Sequence, residues 1–171
     1  MAKLRYVDPR RHQGRLYRGY AALSATGPAL RISRAVGWRL DPILLRLTGY
    51  RLGTGLVLPT LLLGATGART RRHRRNAVIY FHDPVSRDGS VVVVASKAGL
   101  PEHPAWFHNL RADPEVTVNG EPYRAAVVAD DAERERLWGL ADCVFPPFAG
   151  YRERASESGR TVPIVRLAPR R

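Results

Sequence analysis

The sequence has very little of three features that mark large protein classes: cysteine, long apolar runs and, in its front part, acidic side chains. It contains one cysteine, Cys143, in 171 residues. A single cysteine excludes an intramolecular disulfide and any multi-cysteine metal site within one chain. Such a count is typical of proteins in a reducing compartment.

Long apolar runs are missing as well. The longest candidate, Leu56 to Leu63, contains Pro59 and is far shorter than the roughly 20 residues that cross a bilayer. Arginines interrupt every early apolar stretch, so no signal peptide is predicted. We therefore expect a soluble, cytoplasmic protein that at most lies on the inner face of the cell membrane.

Acidic residues are scarce only in the front part of the chain. Residues 1–75 hold 16 Lys and Arg but 2 Asp and Glu, whereas residues 76–171 hold 12 and 13. The whole net charge of +13 therefore belongs to the front part. This asymmetry indicates an acidic partner, which could be nucleic acid, an anionic membrane or an acidic cofactor.

Several catalytic motifs are also absent. The sequence has no GxGxxG after a strand, no phosphate-binding GxxxxGK[ST], no HExxH and no GxSxG around Ser96. His103 and His108 are five residues apart, and on one helix they would not share a face. We therefore expect neither a hydrolase nor a metal site.

The hydrophobic pattern divides the chain into two parts. Residues 1–40 form a basic segment, helical or loosely ordered, and its Ala29–Leu40 stretch is either a surface helix or a contact with an anionic membrane. Residues 41–171 form the folded domain, which begins with a short helix over Ile43–Leu47. No internal repeat is evident.

Within this domain, six short strands alternate irregularly with short helices, and turns are predicted at 64–67 and 119–122. Such an order favours an α+β, mainly β fold, a closed or split antiparallel barrel, over a parallel sheet. The predicted strands are Leu56–Leu63, Ala77–His82, Ser90–Ala95, Glu115–Val118, Tyr123–Val128 and Thr161–Leu167, and the predicted helices are 104–111, 130–143 and a segment near Tyr151.

Two segments are suited to an anion. The turn Ser96–Gly99 follows an apolar strand and offers a lysine, a hydroxyl and backbone N–H groups. The tract ARTRRHRR (68–75) is a solvated loop, a nucleic-acid patch or a clamp on a small polyanion, because arginine forks suit phosphate and carboxylate. No aromatic residue interleaves with these arginines and no recognition helix is apparent, so we expect no nucleic-acid partner.

Five segments carry a resemblance to a known family, in one continuous order over roughly residues 40–169. The segments are GARTRRHRRNAVIY (67–80), VVVVASKAGLPEHPAWFHNLRADPEVTV (91–118), AERERLW (132–138), FPPFAGY (145–151) and GRTVPIVRLAP (159–169). Together they resemble the deazaflavin (coenzyme F420)-dependent nitroreductase and quinone reductase family, whose members are actinobacterial oxidoreductases. The resemblance implies a split β-barrel like that of flavin-binding relatives.

The resemblance also implies a function: hydride transfer from reduced deazaflavin to a small acceptor, a quinone or a nitro compound. Ser96 and Tyr151 would contact the acceptor. Arg69, Thr70 and Arg74 would hold the anionic tail of the coenzyme. By position in the family pattern, the coenzyme-binding residues are Ala68, Arg69, Thr70, Arg74, Arg75, Asn76, Ala77, Val78, Ile79, Val94, Ala95, Ser96, Lys97, Ala105, Trp106, Phe107, His108, Asn109 and Phe148.

The chain departs from the family pattern at two places, and two alternatives stay open. Phe145 and Phe148 replace frequent tyrosines, which removes hydroxyl groups from that motif. Arg71 and Ala77 replace the usual glycine and proline of the basic turn. The alternatives are an oxidoreductase that binds flavin mononucleotide (FMN), and a non-catalytic carrier of the coenzyme or of a lipid.

Overall fold

The computed structural model describes residues 4–11, 17, 19, 43, 47 and 58–170. Between residues 58 and 170 the chain forms six strands and three α-helices, with a short 3-10 turn at Lys97–Gly99. The elements are β1 (Thr60–Thr66), β2 (His73–His82), β3 (Val91–Val94), α1 (Ala105–Ala112), β4 (Glu115–Val118), β5 (Glu121–Val127), α2 (Asp131–Val144), α3 (Pro147–Glu157) and β6 (Ile164–Pro169).

The six strands form a closed barrel in the order β1-β2-β3-β6-β5-β4, and every neighbouring pair is antiparallel. β6 lies between β3 and β5, and β1 closes the barrel against β4. This arrangement confirms the predicted α+β, mainly β fold with an antiparallel barrel. Closure leaves no strand of the barrel with an unpaired edge.

Strand β3 explains how the core is organised. Val91 and Val93 pack in one buried cluster with Trp106 and Leu167, whereas Val92 and Val94 pack in a second cluster under α2 and α3. Because side chains alternate along a strand, a strand buried on both faces must be apolar throughout. The run of four valines follows from this position.

The turn predicted at Gly64–Gly67 is wrong. Gly64 lies inside β1, and a Cβ there would come within 2.3 Å of Thr117 Oγ1 and 2.7 Å of His73 Nε2. The glycine therefore serves close packing within the barrel wall rather than a change of direction. The chain turns instead between Gly67 and Arg72, where the Arg71 N–H donates to the Gly67 carbonyl at 2.8 Å.

Other predicted bounds shift by a few residues. β1 runs from Thr60 to Thr66 instead of starting near Leu56, and β6 starts at Ile164 rather than Thr161. The hairpin before β5 turns at Asn119 and Gly120, both with positive φ, so Glu121 already belongs to the strand. A two-residue Asn-Gly turn is a typical hairpin connection.

Part of the front segment packs on the barrel, and we name residues 4–11 the N-terminal strap. The Val7 N–H donates to His82 Nδ1 at 3.1 Å, and the His82 N–H donates to the Val7 carbonyl at 2.9 Å. The Tyr80 hydroxyl donates to the Arg5 carbonyl at 2.8 Å. The strap is therefore fixed to the end of β2.

The predicted Ala29–Leu40 helix and the predicted boundary at residue 40 lie outside the described residues. Of the short predicted helix, Ile43 and Leu47 are described, and both are helical and exposed. None of the helices in the described ranges combines the length and apolar character that a bilayer crossing requires.

Candidate functional site

A cavity of about 1410 Å³ opens where the start of β2, the 3-10 turn and α1 meet. Its volume exceeds the roughly 300–1,000 Å³ that is usual for small-molecule pockets, so an extended ligand fits. The lining residues are Ile43, Leu47, Gly67, Ala68, Arg69, Thr70, His73, Arg74, Arg75, Asn76, Lys97, Glu102, His103, Ala105, Trp106, His108 and Asn109.

One wall of the cavity is cationic. Arg69, Arg74 and Arg75 line it from the tract before β2 and from the first residues of that strand. Among the described residues, no carboxylate lies within 4.0 Å of any arginine between 69 and 75. Arginines with no carboxylate partner in the described part of the chain are suited to bind an external anion.

Lys97 adds another cation to the lining, from the 3-10 turn. Its Nζ lies 3.2 Å from Glu102 Oε2, and the two side chains are 35% and 69% exposed. An ion pair this exposed contributes little free energy, so a ligand anion can compete for the lysine.

Helix α1 supplies the other wall. It follows Pro104, and Trp106 and Leu110 are buried in the barrel core. Trp106 also lines the cavity, so it is a core aromatic and a wall residue at once. Asn109 Oδ1 accepts a hydrogen bond from the Ala68 N–H at 3.0 Å, which ties the helix to the basic tract.

The 3-10 turn has unusual backbone geometry. Lys97 and Ala98 both have left-handed φ values, 47° and 54°, which cost about 1–2 kcal/mol for each residue that is not glycine. Gly99 follows with φ 76°, and a Cβ there would lie 2.7 Å from the Tyr151 carbonyl oxygen. Strain of this kind persists only when the surrounding structure holds it, and it is frequent at ligand sites.

Arg160 holds this turn from behind. It is 7% exposed, and its guanidinium donates to the carbonyls of Ala95 at 3.2 Å and of Ser96 at 2.6 Å. Its Nη1 also lies 3.2 Å from His103 Nδ1. Burial lowers the pKa of Arg160, and burial followed by the charge of Arg160 lowers the pKa of His103.

The two histidines near α1 lie closer than helical spacing predicts. His103 precedes the helix, and its ring centroid is 5.9 Å from that of His108. Helical spacing therefore does not apply to this pair, because only His108 lies in the helix. In the described part of the chain, no group of three or more His, Cys, Asp or Glu side chains is placed to hold a metal ion.

Many predicted coenzyme-binding residues line the cavity together, although they come from two distant stretches of sequence. Ala77, Val78, Ile79, Val94, Ala95, Ser96 and Phe107 lie in the adjoining elements but do not line it. Those that line it are Ala68, Arg69, Thr70, Arg74, Arg75, Asn76, Lys97, Ala105, Trp106, His108 and Asn109.

Phe148 and Tyr151 lie elsewhere. Both are buried in the cluster under α2 and α3, and neither lines the cavity. Burial raises the pKa of Tyr151, although the nearby charge of Arg154 opposes this effect. The Tyr151 hydroxyl is therefore protonated at neutral pH.

Sequence reasoning missed six lining residues: Ile43, Leu47, Gly67, His73, Glu102 and His103. His73 stands inside the basic tract, so the tract itself was a signal for it. Arg160 was also missed, because an isolated arginine carries no local pattern that predicts burial.

Similarity to known proteins decides the family. Residues 39–169 match the sequence profile of the F420H(2)-dependent quinone reductase family. The chain belongs to this family. A family member named F420H(2)-dependent quinone reductase, from Mycobacterium tuberculosis, is 36% identical over 141 residues, which cover 77% of this chain and 89% of the relative.

Two solved structures resemble this chain, and the first agrees with the family assignment by its description. An F420-H2 dependent reductase (FDR-A) is 31% identical with a TM-score of 0.52, covering 64% of this chain and 93% of its own. A structure described as a domain-swapped dimer is 27% identical with a TM-score of 0.54, covering 75% and 96%.

The predicted family, the oxidoreductase class and coenzyme F420 as cofactor are thereby confirmed. The FMN-binding and carrier alternatives gain no support. The residues present also fit the coenzyme, which combines a flat ring with a phosphate and an oligoglutamate tail. Arginines without a described carboxylate partner suit the tail, and the Trp106 wall suits the ring.

Proposed function

We propose that the cavity binds reduced coenzyme F420 and that the enzyme reduces a quinone-type acceptor there, with nitro compounds as a second class of acceptor. The proposal rests on the cationic wall, whose arginines lack carboxylate partners among the described residues. When bound, the reduced deazaflavin supplies a hydride.

The basic tract binds the acidic tail in this proposal. Arg69, Thr70, Arg74 and Arg75 approach from the loop and the start of β2. Guanidinium groups make paired, charge-assisted hydrogen bonds to carboxylate and phosphate oxygens, which fix orientation as well as affinity. Asn76 also lines the cavity, and Ala77 to Ile79 continue β2 beyond it.

The residues after β3 bind the phosphate and the ring edge. Val94 ends the strand, Ala95 follows it, Ser96 offers a hydroxyl, and Lys97 lines the cavity. On the other side, residues 105–109 cover the ring, whereas Phe148 lies in the separate cluster under α2 and α3. A covered site excludes water and holds donor and acceptor at a fixed distance, which is the main contribution of a protein to hydride transfer.

Ser96 and Tyr151 contact the acceptor. Reduction of a quinone consumes one hydride and one proton, and a phenol that stays protonated can donate a hydrogen bond to the acceptor oxygen. Tyr151 is 5% exposed and lies behind the 3-10 turn, so this contact requires α3 to move relative to that turn.

Titration of the purified protein with coenzyme F420 and, separately, with FMN tests the coenzyme assignment. We expect tighter binding of F420, because FMN has one phosphate and no acidic tail for the arginine tract. Rapid oxidation of bound reduced F420 by a quinone, followed as recovery of deazaflavin absorbance, then tests the activity. Tight FMN binding without F420 binding would reject the coenzyme assignment, and no oxidation by any quinone or nitroarene would reject the activity.

The front segment has a separate role in the proposal. We assign residues 1–40 to a basic segment that contacts the inner face of the cell membrane, and residues 41–171 to the coenzyme-binding domain of a cytoplasmic, actinobacterial enzyme. The positive charge of residues 1–40 supports the membrane contact, because Arg31, Arg34 and Arg39 stand among apolar residues.

Substituting glutamine for these three arginines leaves the strap sequence unchanged. We expect this variant to lose binding to vesicles that contain anionic lipid and to keep its affinity for F420. Undiminished vesicle binding in a sedimentation assay would reject the membrane contact.

A further inference from the structure

The guanidinium of Arg160 joins three structural parts behind the cavity: the end of β3, the segment before α1 and the segment before β6. We infer that Arg160 is a positioning residue for the coenzyme site, one that holds the 3-10 turn so that Lys97 faces the bound anion. This inference rests on the proposed function, since it assumes that the cavity binds F420.

The hydrogen bonds of Arg160 require a planar guanidinium group with two separate donors. Nη1 donates to the Ala95 carbonyl and Nη2 to the Ser96 carbonyl, so two consecutive peptide groups are held by one side chain. The Ser96 carbonyl also accepts from the Gly99 N–H at 3.0 Å, within the turn itself. A lysine presents one ammonium group and cannot reproduce this paired geometry.

The backbone strain in the turn explains why the hydrogen bonds from Arg160 are needed. Lys97 and Ala98 occupy the left-handed region at a cost, and relaxation to right-handed backbone would redirect the Lys97 side chain. Arg160 fixes the carbonyls immediately before these two residues. Removing it would therefore release the strained turn and withdraw a cation from the cavity.

The charge of Arg160 acts in the same direction. Within the described ranges no carboxylate lies within 4.0 Å of it, and its buried Nε has no hydrogen-bond partner. A buried cation with no carboxylate in direct contact among the described residues raises the electrostatic potential around it, although Glu102 opposes this from a longer distance. The cavity is therefore more favourable for an anion than its lining residues alone would make it.

Arg166 provides a matched control, because it is a nearby arginine, within β6, that also makes several hydrogen bonds. It donates to Asp83, Ser90 and Glu133 and does not line the cavity. Arg160→Lys and Arg166→Lys thus each keep a positive charge and lose the paired hydrogen bonds of a guanidinium group. If Arg160 acted only on stability, both variants would behave alike.

Three measurements test the inference: amide hydrogen exchange of the coenzyme-free protein, the Kd for F420, and urea unfolding. We expect Arg160→Lys to speed exchange at Gly99 and Leu100, whose N–H groups bond within the turn, and to weaken F420 binding by about tenfold or more. Arg166→Lys lowers the unfolding midpoint and leaves the Kd and these two exchange rates unchanged. Arg160→Gln, which is neutral, weakens binding further and serves if Arg160→Lys does not fold.

Unchanged exchange and Kd in a folded Arg160 variant would overturn the inference, and so would equal loss of F420 affinity in Arg160→Lys and Arg166→Lys. Failure of the wild-type protein to bind F420 would instead reject the proposed function. The exchange rates are measured without coenzyme, so they still report whether Arg160 holds the turn.

Discussion

The two ends of strand β2 place arginines in opposite electrostatic situations. At its start, Arg74 and Arg75 face the cavity with no carboxylate partner among the described residues. Just beyond its end, Asp83 is 1% exposed and accepts from Arg136 at 2.8 and 2.7 Å and from Arg166 at 3.0 Å. We name these regions the cationic end and the locked end.

The difference teaches that an arginine serves stability or ligand binding according to whether the chain supplies its anion. At the locked end, hydrogen bonds from Arg136 are the main cause that holds the pKa of Asp83 well below its ordinary 3.8. The carboxylate therefore stays ionised, and the arginines are neutralised before any ligand arrives. At the cationic end the proposed function makes the coenzyme the source of the matching anion.

The largest effect is expected at the locked end. Asp83→Asn leaves two arginines without their buried carboxylate, which costs about 3 kcal/mol of unfolding free energy. Urea unfolding measures this loss, and F420 titration should show an unchanged Kd because the cavity does not include this residue.

The pH dependence of the same variant sharpens the test. Because the folded-state pKa of Asp83 is depressed, its contribution is complete above the ordinary 3.8 and is lost as pH falls below that value. Asp83→Asn should lack this part of the acid destabilisation. If the wild-type protein and Asp83→Asn lost stability equally at acid pH, the stabilising role of the ionised Asp83 carboxylate would be contradicted.

A smaller effect, on affinity rather than stability, is expected at the cationic end. Arg74→Ala and Lys97→Ala should each weaken F420 binding by about 1–3 kcal/mol, as expected for charged hydrogen bonds. The unfolding free energy should change by no more than about 0.5 kcal/mol for Arg74→Ala, since it breaks no described ion pair.

Arg124→Ala is the control for this pair. Arg124 lies on β5, pairs with Glu115 at 3.1 Å and is not in the cavity, so its loss should not alter the F420 Kd. Unchanged affinity in both Arg74→Ala and Lys97→Ala would remove the functional distinction between the two ends.

The smallest effect concerns His82, which adjoins the locked end and carries the N-terminal strap. Burial lowers the pKa of His82 below 6.5, and its Nδ1 must be unprotonated to accept from Val7. The neutral form is thus favoured by folding, and its stabilisation is present above pH 6.5 and is lost as pH falls through the lower folded-state value.

His82→Ala should cost about 1 kcal/mol at pH 8, the value of one hydrogen bond, and should flatten the stability profile just below pH 6.5. Urea unfolding at several pH values measures both. A variant that keeps the wild-type slope would show that the strap does not depend on this imidazole.

Much of the barrel could be predicted from sequence, because strands such as Glu115–Val118 and the valine run carry local alternation or apolar character. Gly64 could not be assigned, since a glycine signals a turn and a close approach equally well. Its role depends on Thr117, a residue of another strand. The predicted strand bounds were wrong where tertiary contacts, rather than local propensity, determine where a strand begins or ends.

Sequence likewise predicted only part of the candidate site. The basic tract and the lysine turn were visible as composition, and the family pattern brought them together. Asp83 meets Arg136 and Arg166 across 53 and 83 residues, so no local spacing predicts the locked end. Burial of Arg160 and of Tyr151 likewise depends on how distant elements pack.

The position of β6 has a consequence for synthesis of the protein. The strand comes last of the six in sequence but lies between β3 and β5, so the barrel cannot close until residue 169 has been made. Until then the nascent chain carries two sheet edges that wait for the same strand, and such edges pair readily with other chains. The risk of wrong strand pairing during translation is therefore expected to end only when this strand has left the ribosome.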